Sequence, residues 1–471
     1  MGFLGRALVR AGVWAIGVFY RVERAGPPLP PGPVLIVTNH PNMLTDPLLA
    51  LHAAGRRVRV LAKAPLFRIP LFGGILRSVD TLPLYRVQDH PDQLHRNRLA
   101  FEEAVETLQA GGTVLTFPEG KSHTSPSLAP LKSGAARVTL AAEEESGWRL
   151  GVKIVPIGLI YERKHRFRSR VVATAGPAIS VADRREQYTG HPMRAVRALT
   201  RAVARGLEAT TLNVAALSDL ALTETATRLY SGERGRSEAW EGEAWGQRAP
   251  RLQRWGRAFA WLREHDPERF ASMERSLSRH GQALAALGIR TTDLLPPAES
   301  ERRRRPLRDG GYLLLALPVA AAGTLAWYLP YFLSGLMERL MRPPLGTAAT
   351  VKFLSGFVLC PLTYVAWIAL TARLAGIAAL GVVALALPPL GLAALRWWDR
   401  AGAVREQLVV AFRLGRHPKL ARRLGREREA LADELNKLAA DWAESLELAE
   451  GPARALPGKH HVTGRDDGRI G

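Results

Sequence analysis

Three apolar runs late in the chain constrain its folding more than any other feature: Gly311–Leu333, Phe353–Thr371 and Leu374–Leu395. Crossing a hydrocarbon core takes about 20 apolar residues at about 1.5 Å each. All three runs come near that length, so helices buried in a soluble core are a poor reading and membrane insertion is expected. The number of complete crossings stays open at this point. Arg302–Arg305 and Arg308 precede the first run and should remain cytoplasmic by the positive-inside rule. Arg339, Arg342 and Lys352 argue against translocation of the next loop. Pro318 and Pro330 leave an alternative, a re-entrant first run followed by a hairpin of two spans. Pro388–Pro389 interrupts the third run.

The rest of the 471 residues is enough for two or three further units. A net charge of +22 asks for an anionic partner, whether nucleic acid, an anionic membrane surface or a phosphorylated substrate. No nucleic-acid-binding motif accompanies the charge, and Arg302–Arg305 abuts a lipid-seeking run, so nucleic acid is not expected. The single cysteine, Cys360, rules out an intramolecular disulfide and a multi-cysteine metal site, and reads as a small buried hydrophobe.

At the N-terminus an apolar stretch, Val13–Tyr20, follows Arg6 and Arg10, and no small-residue cleavage pattern comes after it. Residues 1–26 are expected to form an interfacial helix with Phe3, Leu4, Leu8 and Trp14 towards lipid; a plain packing helix is the alternative. From 27 to 215 short β-rich runs alternate with helical patterns, as in an α/β domain. Strands are expected at Val34–Thr38, Val58–Ala62, Val79–Tyr85, Thr113–Phe117, Lys153–Ile160 and Val171–Ala175. Helices are expected at Pro47–Ala54, Leu94–Ala110, Ser133–Glu145 and Met193–Leu207. Residues 216–309 read as a charged helical accessory region, with Phe259, Leu262, Phe270, Met273, Leu277 and Leu284 at helical intervals. The membrane segment spans 310–398, and a basic helix and polar tail follow over 399–471.

Chemistry concentrates at two strand ends. The first is Val34-Leu-Ile-Val-Thr-Asn-His40-Pro-Asn-Met-Leu-Thr-Asp46-Pro47, a strand, a turn and a helix. His40 stands just past the carboxyl end of the strand, where α/β sheets place ligands. Asp46 before Pro47 also fits an N-cap with proline at N1, so a purely structural role is open for both residues. The functional reading needs them together. A hydroxyl attacking a thioester must lose a proton, and imidazole titrates near working pH. A carboxylate on the other ring nitrogen fixes the tautomer and steadies the imidazolium.

The second strand end is Phe117-Pro-Glu119-Gly120-Lys121-Ser122-His123. Gly120 suits a tight turn, and Lys121 with Ser122 suits a phosphate; a structural turn is the competing reading. His123 is a second candidate base, with no carboxylate partner evident in the sequence. Arg86 ends Thr81-Leu-Pro-Leu-Tyr-Arg86, and a guanidinium suits phosphate binding. Val155-Pro-Ile-Gly158 reads as a strand that shapes an acyl-channel wall or ordinary core.

In order and spacing these elements resemble the phospholipid/glycerol acyltransferase family. His40 and Asp46 match its His–Asp motif, Arg86 its second block, Phe117-Pro-Glu-Gly its third and Val155-Pro-Ile-Gly its fourth, and Lys63 falls where the family often has a lysine. Five residues separate His40 from Asp46 where four are usual. That departure, the Ser122-His123 ending and the late apolar segments resemble the fungal-type glycerol-3-phosphate/dihydroxyacetone-phosphate acyltransferase branch. The likeness covers about residues 30–215 and extends to the remainder only in layout.

The resemblance implies an α/β acyltransferase domain with a mixed sheet, followed by the helical accessory region and C-terminal membrane helices. It implies His40 as base and Asp46 as its orienting partner, with Arg86, Glu119, Gly120, Lys121, Ser122 and Lys63 at the acceptor site. The donor would be acyl-CoA or acyl carrier protein, and the acceptor glycerol 3-phosphate or dihydroxyacetone phosphate. No cofactor is expected, and no metal: His460 and His461 lie in a tail without convincing partners. The site is expected at a membrane, on its cytoplasmic face. The first alternative is acylation of a lysophospholipid such as 1-acyl-glycerol-3-phosphate. The second is a non-catalytic membrane protein that binds anionic lipid.

Overall fold

The structure, a computed structural model, describes residues 2–69, 72–85, 97–125, 127–212, 222–229, 245–289 and 310–450. Arg86, Arg302–Arg305, Arg308, His460 and His461 lie outside these residues.

Eight strands form one mixed sheet: β1 (Arg21–Ala25), β2 (Val34–Thr38), β3 (Arg59–Lys63), β4 (Leu82–Leu84), β5 (Thr113–Thr116), β6 (Lys153–Tyr161), β7 (Arg170–Ala175) and β8 (Ile179–Ser180). Their order is β1-β7-β6-β2-β5-β3-β4, with β8 beside β6. Strands β6, β2, β5, β3 and β4 run parallel, so their carboxyl ends share one edge. β7 and β8 pair antiparallel with β6, and β1 runs parallel to β7.

Central β2, Val-Leu-Ile-Val-Thr, is buried throughout, as a strand covered on both faces must be. Leu35 and Val37 face a core built with α4 (Asn97–Gln109), α5 (Gly134–Glu145) and α7 (Pro192–Thr210). Val34 and Ile36 face the opposite core, built with α1 (Phe3–Phe19) and α2 (Thr45–Ala54). Two short helices, α3 (Phe72–Ser78) and α6 (Arg185–Gly190), complete this part. Val155-Pro-Ile-Gly158 is buried in the core. Pro156 packs against Gly176 and Gly206, and a methyl group on Gly158 would lie 2.0 Å from the Thr210 carbonyl oxygen, so β6 and α7 touch backbone to backbone.

The expected 1–26 unit is divided. The helix ends at Phe19, and Arg21–Ala25 joins the sheet beside β7. Three of the five β1 residues are charged, so side-chain periodicity carries no strand signal there; an edge strand needs only its backbone ladder. Ile16 and Phe19 are buried in the core, whereas Phe3, Leu4 and Trp14 are exposed.

Beyond the sheet come α8 (Trp245–His265), α9 (Pro267–Leu287), α10 (Leu317–Met341), α11 (Leu345–Leu374), α12 (Ile377–Arg416) and α13 (Pro418–Glu450). Helices α10, α11 and α12 are long and apolar enough to cross a membrane, at 25, 30 and 40 residues. Pro388–Pro389 does not break the third, and α12 continues well past the expected boundary at 398. Nor does α13 stand apart. Its Leu431, Leu435 and Leu438 close a core with Trp255, Phe259, Phe270, Met273 and Leu277 of the accessory helices.

Candidate active site

The carboxyl edge of the parallel strands gathers the residues picked out above. His40 follows β2, Glu119 follows β5, Lys63 ends β3, and Tyr161 ends β6. Where β2 stops, Asn39 takes over its ladder. The Asn39 side chain accepts from Leu159 N at 2.8 Å and donates to Leu159 O at 3.0 Å, which pins the residue before His40 to β6.

The chain then turns through Pro41–Leu44. Met43 holds a left-handed φ of 45°, and Thr45 N and Asp46 N bond back to Asn42 O and Met43 O. This turn brings His40 and Asp46 together, with His40 Nδ1 2.8 Å from Asp46 Oδ2. The helix begins at Thr45 and its cap position, Leu44, makes no side-chain bond, so Asp46 is not the N-cap that Asp-Pro suggested. The carboxylate is fully buried and is spent on three donors. Besides His40, Asn42 N donates to Oδ2 at 2.6 Å and the Tyr161 hydroxyl donates to Oδ1 at 2.5 Å.

With Asn42 N and the Tyr161 hydroxyl donating to it, the carboxylate acts here as an acceptor. It assigns the proton on His40 to Nδ1 and leaves Nε2 as the basic nitrogen. The imidazole stacks on Phe117, with ring centres 4.1 Å apart, and its side chain keeps 20% exposure. Burial and the neighbouring Asp46 charge hold the Tyr161 phenol well above its ordinary range, so it remains a donor. Behind it lies Tyr20, raised by burial, whose hydroxyl accepts from Asn42 Nδ2 and donates to Lys164 O. Lys164 reaches back to Pro41 O at 3.2 Å; burial lowers its ammonium and the Asp46 charge opposes that shift.

Glu119 is buried and faces inward. Its Oε1 accepts from His40 N at 3.0 Å, and its Oε2 accepts from Ala129 N at 2.8 Å and binds His123 Nε2. The expectation that His123 has no carboxylate partner is therefore corrected. His123 is bound to Glu119, and its own N–H donates to His40 O. Gly120 adopts φ 72°, the left-handed value a tight turn of this kind requires. Ser122 Oγ accepts from Met43 N at 3.2 Å, and Lys121 is exposed. Among the described residues no group of three His, Cys, Asp or Glu side chains stands together for a metal ion.

Asn39 and Asn42 lie inside the first motif with no role assigned there, and Tyr161 and Lys164 lie outside the motifs. Tyr161 had a signal: Val155, Ile157, Leu159 and Tyr161 alternate along β6 and so share the sheet face that carries Ile36. Replacing Tyr161 by phenylalanine should cost roughly 10-fold in kcat, about half of the 1.5–3 kcal/mol that a hydrogen bond to a charged group is worth. KM for the acceptor should stay level. Steady-state kinetics beside a melting curve decide the matter, because a purely structural tyrosine would lower the melting temperature and spare kcat.

Residues 21–160 match the family described as Acyltransferase. Among curated proteins it is similar to Glycerol-3-phosphate O-acyltransferase 2 of Saccharomyces cerevisiae, 35% identical over 28% of this chain and 18% of that protein. It is also similar to the chloroplastic 1-acyl-sn-glycerol-3-phosphate acyltransferase BAT2 of Brassica napus, 30% identical over 32% of this chain and 41% of that protein. Both matches span less than half of the relative's length. A solved structure, that of the 1-acyl-sn-glycerophosphate (LPA) acyltransferase PlsC from Thermotoga maritima, aligns over 43% of this chain and 78% of that one, with a TM-score of 0.32 and 19% identity.

Proposed function

We propose that the chain is a membrane-bound O-acyltransferase that moves a fatty acyl group from acyl-CoA or acyl carrier protein to glycerol 3-phosphate or dihydroxyacetone phosphate. The observation that carries this reading is the His40–Asp46 pair, whose Nε2 is left basic at the sheet edge. In the proposed step Nε2 takes the proton of the acceptor hydroxyl as its oxygen attacks the thioester carbonyl. The new C–O bond forms, the C–S bond breaks, and the imidazolium returns the proton to the departing thiolate. Asp46 accepts from Nδ1 and holds the ring.

Glu119 supports the pair by fixing the backbone on which His40 stands. Gly120, Lys121, Ser122, Lys63 and Arg86 remain the proposed acceptor-side residues, with cations matched to a phosphate. A site on the cytoplasmic face belongs to the same proposal, since both donors are cytoplasmic thioesters.

Acylation of 1-acyl-glycerol-3-phosphate is the second reading, favoured by the similarity to the Brassica protein. Purified protein in mixed micelles, given labelled acyl-CoA and each acceptor in turn, separates the two. Label is expected on glycerol 3-phosphate or dihydroxyacetone phosphate. Label confined to 1-acyl-glycerol-3-phosphate would replace the first reading by the second.

A further inference from the structure

The flanks of the apolar region limit how many times it can cross a bilayer. Helix α9 precedes that region and α13 follows it, and their side chains share one buried core through Met273, Leu277, Leu431 and Leu435. Two soluble helices packed together lie on one side of a membrane, so the chain between them crosses an even number of times. Three complete crossings do not fit this packing; zero or two do.

The side-chain ties favour two. Lys352, early in α11, donates to His165 O at 3.0 Å and pairs with Glu338 of α10 at 2.8 Å. Asp399 of α12 pairs with Arg168 at 2.9 Å and with Arg21 at 2.5 Å. His165 and Arg168 belong to the same β6–β7 loop, so residues 352 and 399 are both held at the acyltransferase domain. Between them, residues 353–395 contain a single charge, Arg373, near the α11–α12 turn. Each arm is about 20 residues, one bilayer core in length.

Helix α10 behaves differently. Its carboxyl end is tied to the domain through Glu338 and Lys352. Its entry is tied there too, because Trp397, two residues before Asp399, donates Nε1–H to Leu313 O at 2.9 Å, and Arg400 covers the Tyr312 ring. Midway, Tyr331 meets Phe167 of the same loop, ring centres 6.1 Å apart. Trp327, Tyr328, Tyr331 and Phe332 crowd the middle of α10, whereas a perpendicular span carries its aromatic belts at its ends. Leu325, Leu329, Phe332, Leu336 and Leu340 form one exposed stripe at helical spacing.

We propose that residues 310–341 lie along the bilayer surface on the side of the acyltransferase domain, with that stripe in the acyl chains of one leaflet, and that only α11 and α12 penetrate, as a hairpin. The lipid of that leaflet is the partner of the stripe. This embedding does not depend on the acceptor or on acyl transfer at all, so its test reads neither.

A cysteine-free Cys360→Ser background with one added cysteine at a time would be placed in sealed phosphatidylethanolamine/phosphatidylglycerol vesicles and exposed to a membrane-impermeant maleimide. The Glu102→Cys variant gives the fraction of molecules whose acyltransferase domain faces out. Gly311→Cys, Arg342→Cys and Ala403→Cys should label to that same fraction. Ala375→Cys should label only to the complementary fraction, or only after detergent. Gly311→Cys and Arg342→Cys labelling from opposite sides would overturn the surface helix, and Ala375→Cys labelling with Glu102→Cys would overturn the hairpin. Unsubstituted protein supplies a second measure. Trypsin added from the side that digests the acyltransferase domain should cut at Arg339 and Arg400 and leave a protected fragment between them; protection of Arg339 would overturn the proposal.

Discussion

Replacing His40 by alanine should lower kcat for acyl transfer by about 10²–10⁴-fold, the usual contribution of a positioned general base. KM for the acceptor should change little, because the ring contributes a proton acceptor and no cation. The fold should hold, since the imidazole keeps 20% exposure and its one strong tie is to Asp46. Steady-state kinetics on the variant, with its partition into membranes measured beside them, check both halves of the expectation. Wild-type turnover would remove the base from the mechanism and favour the reading as a lipid binder without catalysis.

Glu119→Ala is the second large effect, and it works through the backbone. The carboxylate holds His40 N, Ala129 N and the His123 ring at once. Truncation leaves two N–H groups and an imidazole nitrogen without that acceptor, and each buried polar group so stranded costs about 1–3 kcal/mol. The melting temperature should fall by several degrees and kcat by at least the His40→Ala range's lower bound, about 10²-fold. Glu119→Gln keeps one acceptor oxygen but puts an amide donor where at least one donor already points, so it should lie between. A melting curve and turnover measured on both variants check this; wild-type values for Glu119→Ala would show that the loop carries its own weight.

Much of the acyltransferase part is legible in the residues because it rests on strong local signals. Strand Val34–Thr38 and helix Gly134–Glu145 are bounded within a residue of expectation, since buried parallel strands read as unbroken β-branched runs and the flanking glycines mark the turns. The proximity of His40 and Asp46 also follows from a short turn. Strand β1 is the counter-example. Arg21, Glu23 and Arg24 give it a polar face, and only its partner β7, about 150 positions away in the chain, makes it a strand.

Glu119 shows a second limit. Its residue type and place in Phe-Pro-Glu-Gly suggest a group aimed at substrate, yet His40 N takes one oxygen and Ala129 N with the His123 ring takes the other. Which way a carboxylate faces depends on backbone donors that carry no sequence signature. The membrane segment is legible as apolar runs and illegible as topology for the same reason. Length and hydropathy license insertion, whereas the parity of crossings rests on α9 meeting α13 from opposite flanks.

That meeting also sets a schedule for synthesis. Trp255, Phe259 and Leu277 leave the ribosome long before Leu431 and Leu435, the residues that roof them. At roughly 5–20 residues per second the interval is on the order of ten seconds. During that time the accessory helices stand half-built while the apolar stretch is threaded into lipid, so the acyltransferase sheet matures first and the module beside it is finished last.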